Sequence, residues 1–428
     1  MVKLLLIKPP EKTGFDFGAF SLVTLAAAVR DMADVTILDA TDLAIDDAAD
    51  KAWAADPEMI GVTVMGLQSV LSAARFIHVL SHHPKAGGAD IIAGGHGATV
   101  APERILTAGA DAVVLGEGEA TLRDLLVRGI DEDVRPGTAQ LCGDDFLVGP
   151  PRPLITPLDA LPGPARELMA PPRDGVYLLE TSRGCPHHCG FCETTRFHGS
   201  RWRPHTPAWV AEETARLVEN HDAWVVLIAD DNFAARPSRV IEICRLLSRG
   251  PLPATFIASA RADDLARDPA VIPALASARI HRVMVGVETL EPEPASRVAK
   301  LIPPALYREV FERLAEHQIF SMASFIVGLP GESEDPDRLL ELAVSAGSDA
   351  ACFVPFLPMP GTPLAVGATL FEPLPVYVER AAVLTDAFRC HPAVRSRLSR
   401  AAESGGVREI MARATLENYH YRTGRQQV

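Results

Sequence analysis

The sequence predicts an α/β protein, with a doubly wound parallel sheet, then a partial (β/α)6 barrel, then a short helical tail. Three observations predict it. Two separate series of short β-rich apolar runs alternate with helical patterns, as parallel sheets covered by helices do. A stretch rich in proline and glycine interrupts them after residue 130. In the second series, polar residues or glycine follow almost every strand, where the chemistry of such barrels is placed.

The first strand is "VKLLLIKP", an apolar run ended by Lys8 and two prolines. It is too short for a signal peptide or a membrane span. "FSLVTLAAAVRDM" has helical periodicity, and "DVTILDA" and "MIGVTVMG" read as the second and third strands. "VLSAARFIHVLSHH" is the next helix, and "ADIIAGG" and "ADAVVLGEGE" are strands followed by the helical "APERILTAG" and "ATLRDLLVRG". These make a first domain over residues 1–135, and the Pro/Gly-rich 136–172 reads as a linker with short irregular strands.

The second series has six strands: "VYLLET", "WVVLIADD", "ATFIASAR", "HRVMVGVE", "FSMASFIVG" and "DAACFVPF". Helical stretches such as "AWVAEETARLVENH", "RVIEICRLLSRG" and "LYREVFERLAEHQ" separate most of them. Six such units over 173–360 suit an open, partial barrel of parallel strands, and 361–428 reads as helical.

A chain of 428 residues is too long for one core, so two domains are expected. The formal net charge of -14 argues against broad electrostatic binding of nucleic acid. The seven cysteines fit no secreted disulfide framework, so a reducing, cytoplasmic setting is expected. Cys142, Cys244, Cys352 and Cys390 are scattered singly and read as ordinary buried thiols.

The other three, Cys185, Cys189 and Cys192, form C-x3-C-x2-C in the loop after "VYLLET". A disulfide would use two cysteines, and a closed zinc site four ligands. A [4Fe–4S] cluster needs one thiolate per iron, so three leave one iron open. A zinc site completed by His187, His188 or His198 is the alternative, although zinc sites usually pair C-x2-C units from two arms and only one exists here.

With Phe191 before the last cysteine, this loop resembles the signature of radical S-adenosylmethionine (SAM) enzymes. Further features stand in that family's order: Asp230-Asp231-Asn232-Phe233 after the second strand, "GVET" with Glu288 after the fourth, "FIVGLPGE" after the fifth and "PFLPMPGTPL" after the sixth. The resemblance implies that Cys185, Cys189 and Cys192 hold the cluster and that its open iron binds SAM. One electron then cleaves SAM to a 5′-deoxyadenosyl radical. It also implies that Glu288 holds the ribose hydroxyls and that Asp230, Asn232 and Ser259 or Arg261 lie near the methionine end or the ribose. Gly328 and Gly331 would let backbone approach the adenine, with Phe191 packing on it. An electron donor such as flavodoxin or ferredoxin is expected as partner.

An acidic parallel α/β domain ahead of such a core is similar to the Rossmann-like (flavodoxin-like) cobalamin-binding domain of one branch of this family. The loops "GLQSVL", "AGGHGATVAPERIL" and "LGEGEATLRDLL" leave the sheet edge where open α/β folds bind ligands. Gly94 and Gly95 would let the nucleotide tail pass close to the backbone, Ser69 would hydrogen-bond it, and Gly116 and Glu117 are further candidates. "KPPEKTGFDFG" has no histidine to ligate cobalt from below, and His96 is not assigned that role. A flavodoxin proper would need a Ser/Thr-rich phosphate loop after the first strand, which is missing.

The resemblance implies a methyltransferase acting on an unactivated carbon of a small, specialised-metabolite substrate, through methylcobalamin and the deoxyadenosyl radical. Its substrate pocket would lie between the two domains, with "RFHGSRWRPH" shaping the barrel mouth. Oxidative cyclisation, ring contraction or another rearrangement is the alternative, and a non-catalytic cobalamin or redox sensor a more distant one. A methylthiotransferase would need three more cysteines in the N-terminal domain, and the first 130 residues contain none. Cys352, at the end of the sixth strand, is either a structural thiol or a hydrogen donor to a substrate radical.

Overall fold

The computed structural model describes residues 1–11, 20–131, 134–172, 175–333, 335–365 and 371–424. The chain divides into two compact units, Met1–Pro172 and Arg173–Val428.

The first unit contains β1 (Val2–Lys8), β2 (Ala33–Asp39), β3 (Met59–Thr63), β4 (Asp90–Gly94), β5 (Ala112–Val114), β6 (Thr138–Cys142) and β7 (Asp145–Val148) in one sheet, ordered β2-β1-β3-β4-β5-β6-β7. The first five strands are parallel, with Leu4 opposite both Val35 and Met59. Their apolar runs are buried because helices cover the sheet: Leu22, Ala26 and Val29 of the helix Phe20–Val29 pack with Leu4 and Leu6. The chain reverses direction across the sheet between β1 and β3, which opens a ligand crevice at the carboxyl ends of these strands. The segment 12–19 after β1, the stretch read for a missing cobalt-ligating histidine, lies outside the described residues.

Residues 136–172, expected as a linker, are instead part of this unit. β6 pairs antiparallel with β5, and β7 with β6. Ala165 N–H donates to the Val23 carbonyl (3.0 Å), and Ala165 joins the core beneath. Proline and glycine break the periodicity that marks an element, but they do not prevent strands from pairing at a sheet edge.

The second unit contains β8 (Val176–Leu179), β9 (Ser182–Arg183), β10 (Arg203–Pro204), β11 (Val225–Ile228), β12 (Thr255–Arg261), β13 (Ile280–Glu288), β14 (Phe320–Val327) and β15 (Ala350–Pro355). Six of these form an open parallel sheet ordered β15-β14-β13-β12-β11-β8, and β9 and β10 form a separate antiparallel pair. The strands alternate cleanly. Phe256, Ala258, Ala260, Val283, Val285 and Val287 enter the core beneath the helices. Their neighbours Ile257, Ser259, Arg282 and Met284 lie half-buried on the opposite, inner face.

The C-terminal helices Pro375–Cys390, Pro392–Ala401 and Gly406–Gly424 share this core through Leu384, Phe388, Leu398 and Ala412. Asp349 fixes the last of them: its carboxylate accepts from Ser321 N–H (3.0 Å) and from Arg408 Nη2 (2.7 Å), and all three residues are buried. No helix among the described residues is long and apolar enough to cross a membrane.

Asp349→Ala would strand the Arg408 guanidinium and two Ser321 donors. We expect a loss of about 3–5 kcal/mol in unfolding free energy, read from denaturant melts.

Candidate active site

The three cysteines lie in a loop whose two ends are tied together. β9, just before Cys185, pairs with β10, so Arg203 lies opposite Arg183. His205 N–H donates to the Thr181 carbonyl (2.9 Å). Gly184, at φ +84°, makes this closure possible: a side chain there would collide with the Arg201 carbonyl.

Asp230 anchors the base of the loop. Its carboxylate accepts from Thr181 N–H (2.6 Å), Ser182 N–H (3.0 Å), Thr181 Oγ1 (2.6 Å) and Ser182 Oγ (2.6 Å). Burial pushes its carboxyl up, opposed by the Ser182 and Thr181 hydrogen bonds and the Arg239 charge. Arg239 donates to the Thr181 carbonyl (2.6 Å) and the His205 carbonyl (3.0 Å). Asp230 was expected beside SAM, but its oxygens are committed to the loop, so its part is structural.

A second network holds the loop from the side. Asp264 is fully buried and accepts from His187 Nε2 (2.7 Å) and Asn232 Nδ2 (2.6 Å), with Arg267 also paired to it. Asn232 Oδ1 in turn accepts from Arg261 N–H (3.4 Å). Arg261 is clamped by both Asp263 oxygens (3.0 Å each) and points Nη1 at Cys189 Sγ (3.2 Å). Asn232 and Arg261, two of the expected SAM contacts, are thus brought together with the cysteine loop, and Ser259 lies on the inner face two residues before Arg261. Sequence reasoning missed Asp264. Its only signal was "RADD" directly after a strand, which is common on ordinary surfaces.

All three cysteines are free and half-buried. Burial raises each thiol, Cys185 to about 11, while Lys300 and Arg261 draw Cys189 back down. Among the described residues, no three His, Cys, Asp or Glu side chains converge as one metal ion requires. Thiolates on a cubane bind separate irons and stand farther apart, so free thiols on one loop with an N–H aimed at a sulfur suit a cluster. Of the histidines in the zinc alternative, two are each engaged through one ring nitrogen: His187 Nε2 with Asp264 and His198 Nδ1 with Arg203 (3.1 Å).

Glu288 ends β13 in the left-handed region, φ +67°, where the register with β14 slips between Gly286 and Glu288. Such a bulge re-aims a side chain at some backbone cost. Lys300 holds the result, donating to Glu288 Oε1 (2.8 Å) and the Gly286 carbonyl (2.8 Å). Oε2 accepts nothing among the described residues and remains for a hydroxyl ligand. Lys300 was also missed, since "AKLIP" carries no pattern.

Phe191 packs with Val298, Ile326, Leu329 and Phe356 in a small apolar cluster. Gly328 and Gly331 both lie at positive φ, +93° and +83°. The space beside Gly328 is filled by the Tyr377 ring, and that beside Gly331 by the Glu293–Arg297 pair. At both positions another part of the chain comes close to the backbone.

In the first unit, Ser69 lies at the β1/β3 crevice, fully buried, and its Oγ has no partner among the described residues. An orphaned buried hydroxyl fits a ligand that hydrogen-bonds there, as the nucleotide tail of cobalamin would. The other expected contacts are mixed. Gly95 is a glycine because of the Val64 carbonyl, and Gly94 lies close against Val114. Gly116 opens onto free space, with its N–H bound to Thr99 Oγ1 (3.0 Å). Glu117 is committed to Ile155 N–H (2.8 Å) and anchors the segment around residue 155 rather than waiting for a ligand.

Asp264→Ala should weaken retention of a reconstituted iron–sulfur cluster about 10–100-fold, as loss of outer-shell partners does. Iron and sulfide analysis after a chelator challenge checks it, with far-UV circular dichroism unchanged.

The radical SAM superfamily model matches residues 179–343, and the B12-binding domain model residues 11–126. An uncharacterized methyltransferase of Pyrococcus horikoshii is 29% identical over 385 residues, covering 85% of this chain and 82% of that one. The anaerobic magnesium-protoporphyrin IX monomethyl ester cyclase of Rubrivivax gelatinosus is 26% identical over 348 residues; the alignment takes in 76% of this chain but only 61% of the cyclase. The solved structure of the radical SAM methyltransferase TsrM from Kitasatospora setae superposes with a TM-score of 0.71 at 19% identity, covering 85% of this chain and 75% of that one. The chain belongs to the cobalamin-dependent radical SAM enzymes, whose cofactors are a [4Fe–4S] cluster, SAM and cobalamin.

Proposed function

We propose that the protein is a methyltransferase that places a methyl group on an unactivated carbon of a small molecule. The observation that carries this reading is the pairing of two ligand-ready sites on one chain: the free three-cysteine loop and the orphaned Ser69 hydroxyl at the crevice of a B12-binding domain. When bound, the cluster and SAM supply one-electron chemistry that takes hydrogen from unreactive carbon, and cobalamin supplies a methyl carrier. The methyltransferase name of the Pyrococcus relative supports the same reading.

The chain's own residues position these groups. Cys185, Cys189 and Cys192 would hold three irons, and Arg261 would give Cys189 a charge-assisted hydrogen bond. Glu288 would bind the ribose hydroxyls through Oε2, while Lys300 neutralises its charge and fixes its direction. Asn232 would keep the wall beside the cluster in place through Asp264. Phe191 and its apolar neighbours would exclude water from the reacting end. Ser69 would hold the nucleotide tail. A second reading, oxidative cyclisation, draws on the cyclase name of the Rubrivivax relative.

The test is anaerobic. The cluster is reconstituted, hydroxocobalamin is added, the protein is desalted, and iron, sulfide and cobalamin are measured. We expect about four irons and about one cobalamin per chain, and transfer of label from methyl-labelled SAM to a small-molecule product. Retained iron without cobalamin would leave the radical core and remove the methyl carrier. Both cofactors with an unmethylated, oxidised product would favour cyclisation.

A further inference from the structure

The inner face of the barrel carries a cation that nothing above uses. Arg282 lies on β13, on the face opposite Val283, Val285 and Val287, which are buried beneath the helices. Its guanidinium is half-buried and pairs with no carboxylate among the described residues. Its Nη2 meets only Met322 Sδ (3.0 Å), a weak acceptor, and Cys352 is the other group it feels. Burial pushes the guanidinium below its usual range, as desolvation of a charge must. Several other buried charges in this unit are matched: Glu288 by Lys300, Asp349 by Arg408, Asp264 by Arg267. A lone guanidinium among sulfur atoms is costly unless an anion arrives.

Strand register says where that anion would sit. Met322 pairs with Met284, and Cys352 pairs with Ser324, which pairs with Gly286. The guanidinium therefore reaches a level two to four residues before Glu288, about 7–13 Å along the strands. That separation suits a small molecule with an acidic group at one end and its reacting carbon near the SAM-facing strand ends.

We propose that Arg282 anchors an anionic group of the substrate, a carboxylate or a phosphorus oxyanion, deep in the barrel. The proposal rests on the small-molecule reading above and narrows it to acidic substrates. Met322, Ser324 and Cys352 form the wall around that group. Cys352 is then a neutral neighbour in the anion pocket, which gives it a role distinct from hydrogen donation.

The probes are acetate, inorganic phosphate and methylphosphonate, added to the cluster-reconstituted full chain at constant ionic strength, with chloride as reference. The melting temperature of the native chain should rise with at least one probe, and which probe acts distinguishes a carboxylate from a phosphorus oxyanion site. R282Q and R282M should lose that rise while melting at or above the native temperature in chloride alone, since an unmatched buried charge is gone. R282K, which keeps the charge, should retain part of the response. Equal anion responses in native and R282Q chains would overturn the proposal, as would no response in the native chain. Failure of R282Q and R282M to fold would also overturn it, by showing that the guanidinium is structural. SAM cleavage by the native enzyme, measured separately, reports on the proposed reaction, so the two readings can fail independently.

Discussion

The architecture of the second unit turns on one buried carboxylate. Asp230 gathers two backbone N–H groups and two hydroxyls from Thr181 and Ser182, just where the first barrel strand gives way to the cysteine loop. A carboxylate without water needs that many donors to stay ionised, and each bond ties the loop to the end of β11. Arg239 closes the arrangement by capping the Thr181 and His205 carbonyls, the two ends of the loop. Three thiolates can share one cluster only if the backbone between them is held still, and this clamp together with Asp264 supplies the restraint.

The sheet then separates packing from chemistry. One face of every strand is given to the helices, and the C-terminal helices extend the same core. The other face is half-buried and holds polar groups that a core would reject: Ser259, Arg261, Arg282 and Ser324. Alternation with period two lets a single strand do both jobs. β13 shows this along its length, from Arg282 through Gly286 to Glu288, while Val283, Val285 and Val287 anchor it behind. At its end the alternation is broken by the bulge, and the resulting positive φ at Glu288 is held by Lys300. Strain of this kind persists only where neighbours over-determine it.

The sequence by itself determined much. Apolar periodicity located nearly all strands and helices, because period and hydrophobicity are local properties. The cysteine spacing identified the loop, and Asn232, Arg261 and Glu288 stood at strand ends where the family pattern puts them. What sequence could not supply was partnership. Asp264 and Lys300 are common residue types whose roles exist only through partner side chains 77 and 12 residues away, His187 and Glu288. The same holds for Asp230 and Glu117, which turned from ligand candidates into anchors once their donors were visible. Gly328 carried a correct signal of close approach, but the approaching group is Tyr377, some fifty residues on in the chain. The Pro/Gly-rich 136–172 and the C-terminal helices joined cores for the same reason: burial is decided by what packs opposite, and local pattern does not record it. Arg282 is the plainest case. As a letter in "HRVMVGVE" it is an ordinary basic residue, and only the strand's alternation within a folded sheet places it beside sulfur with no counter-charge among the described residues.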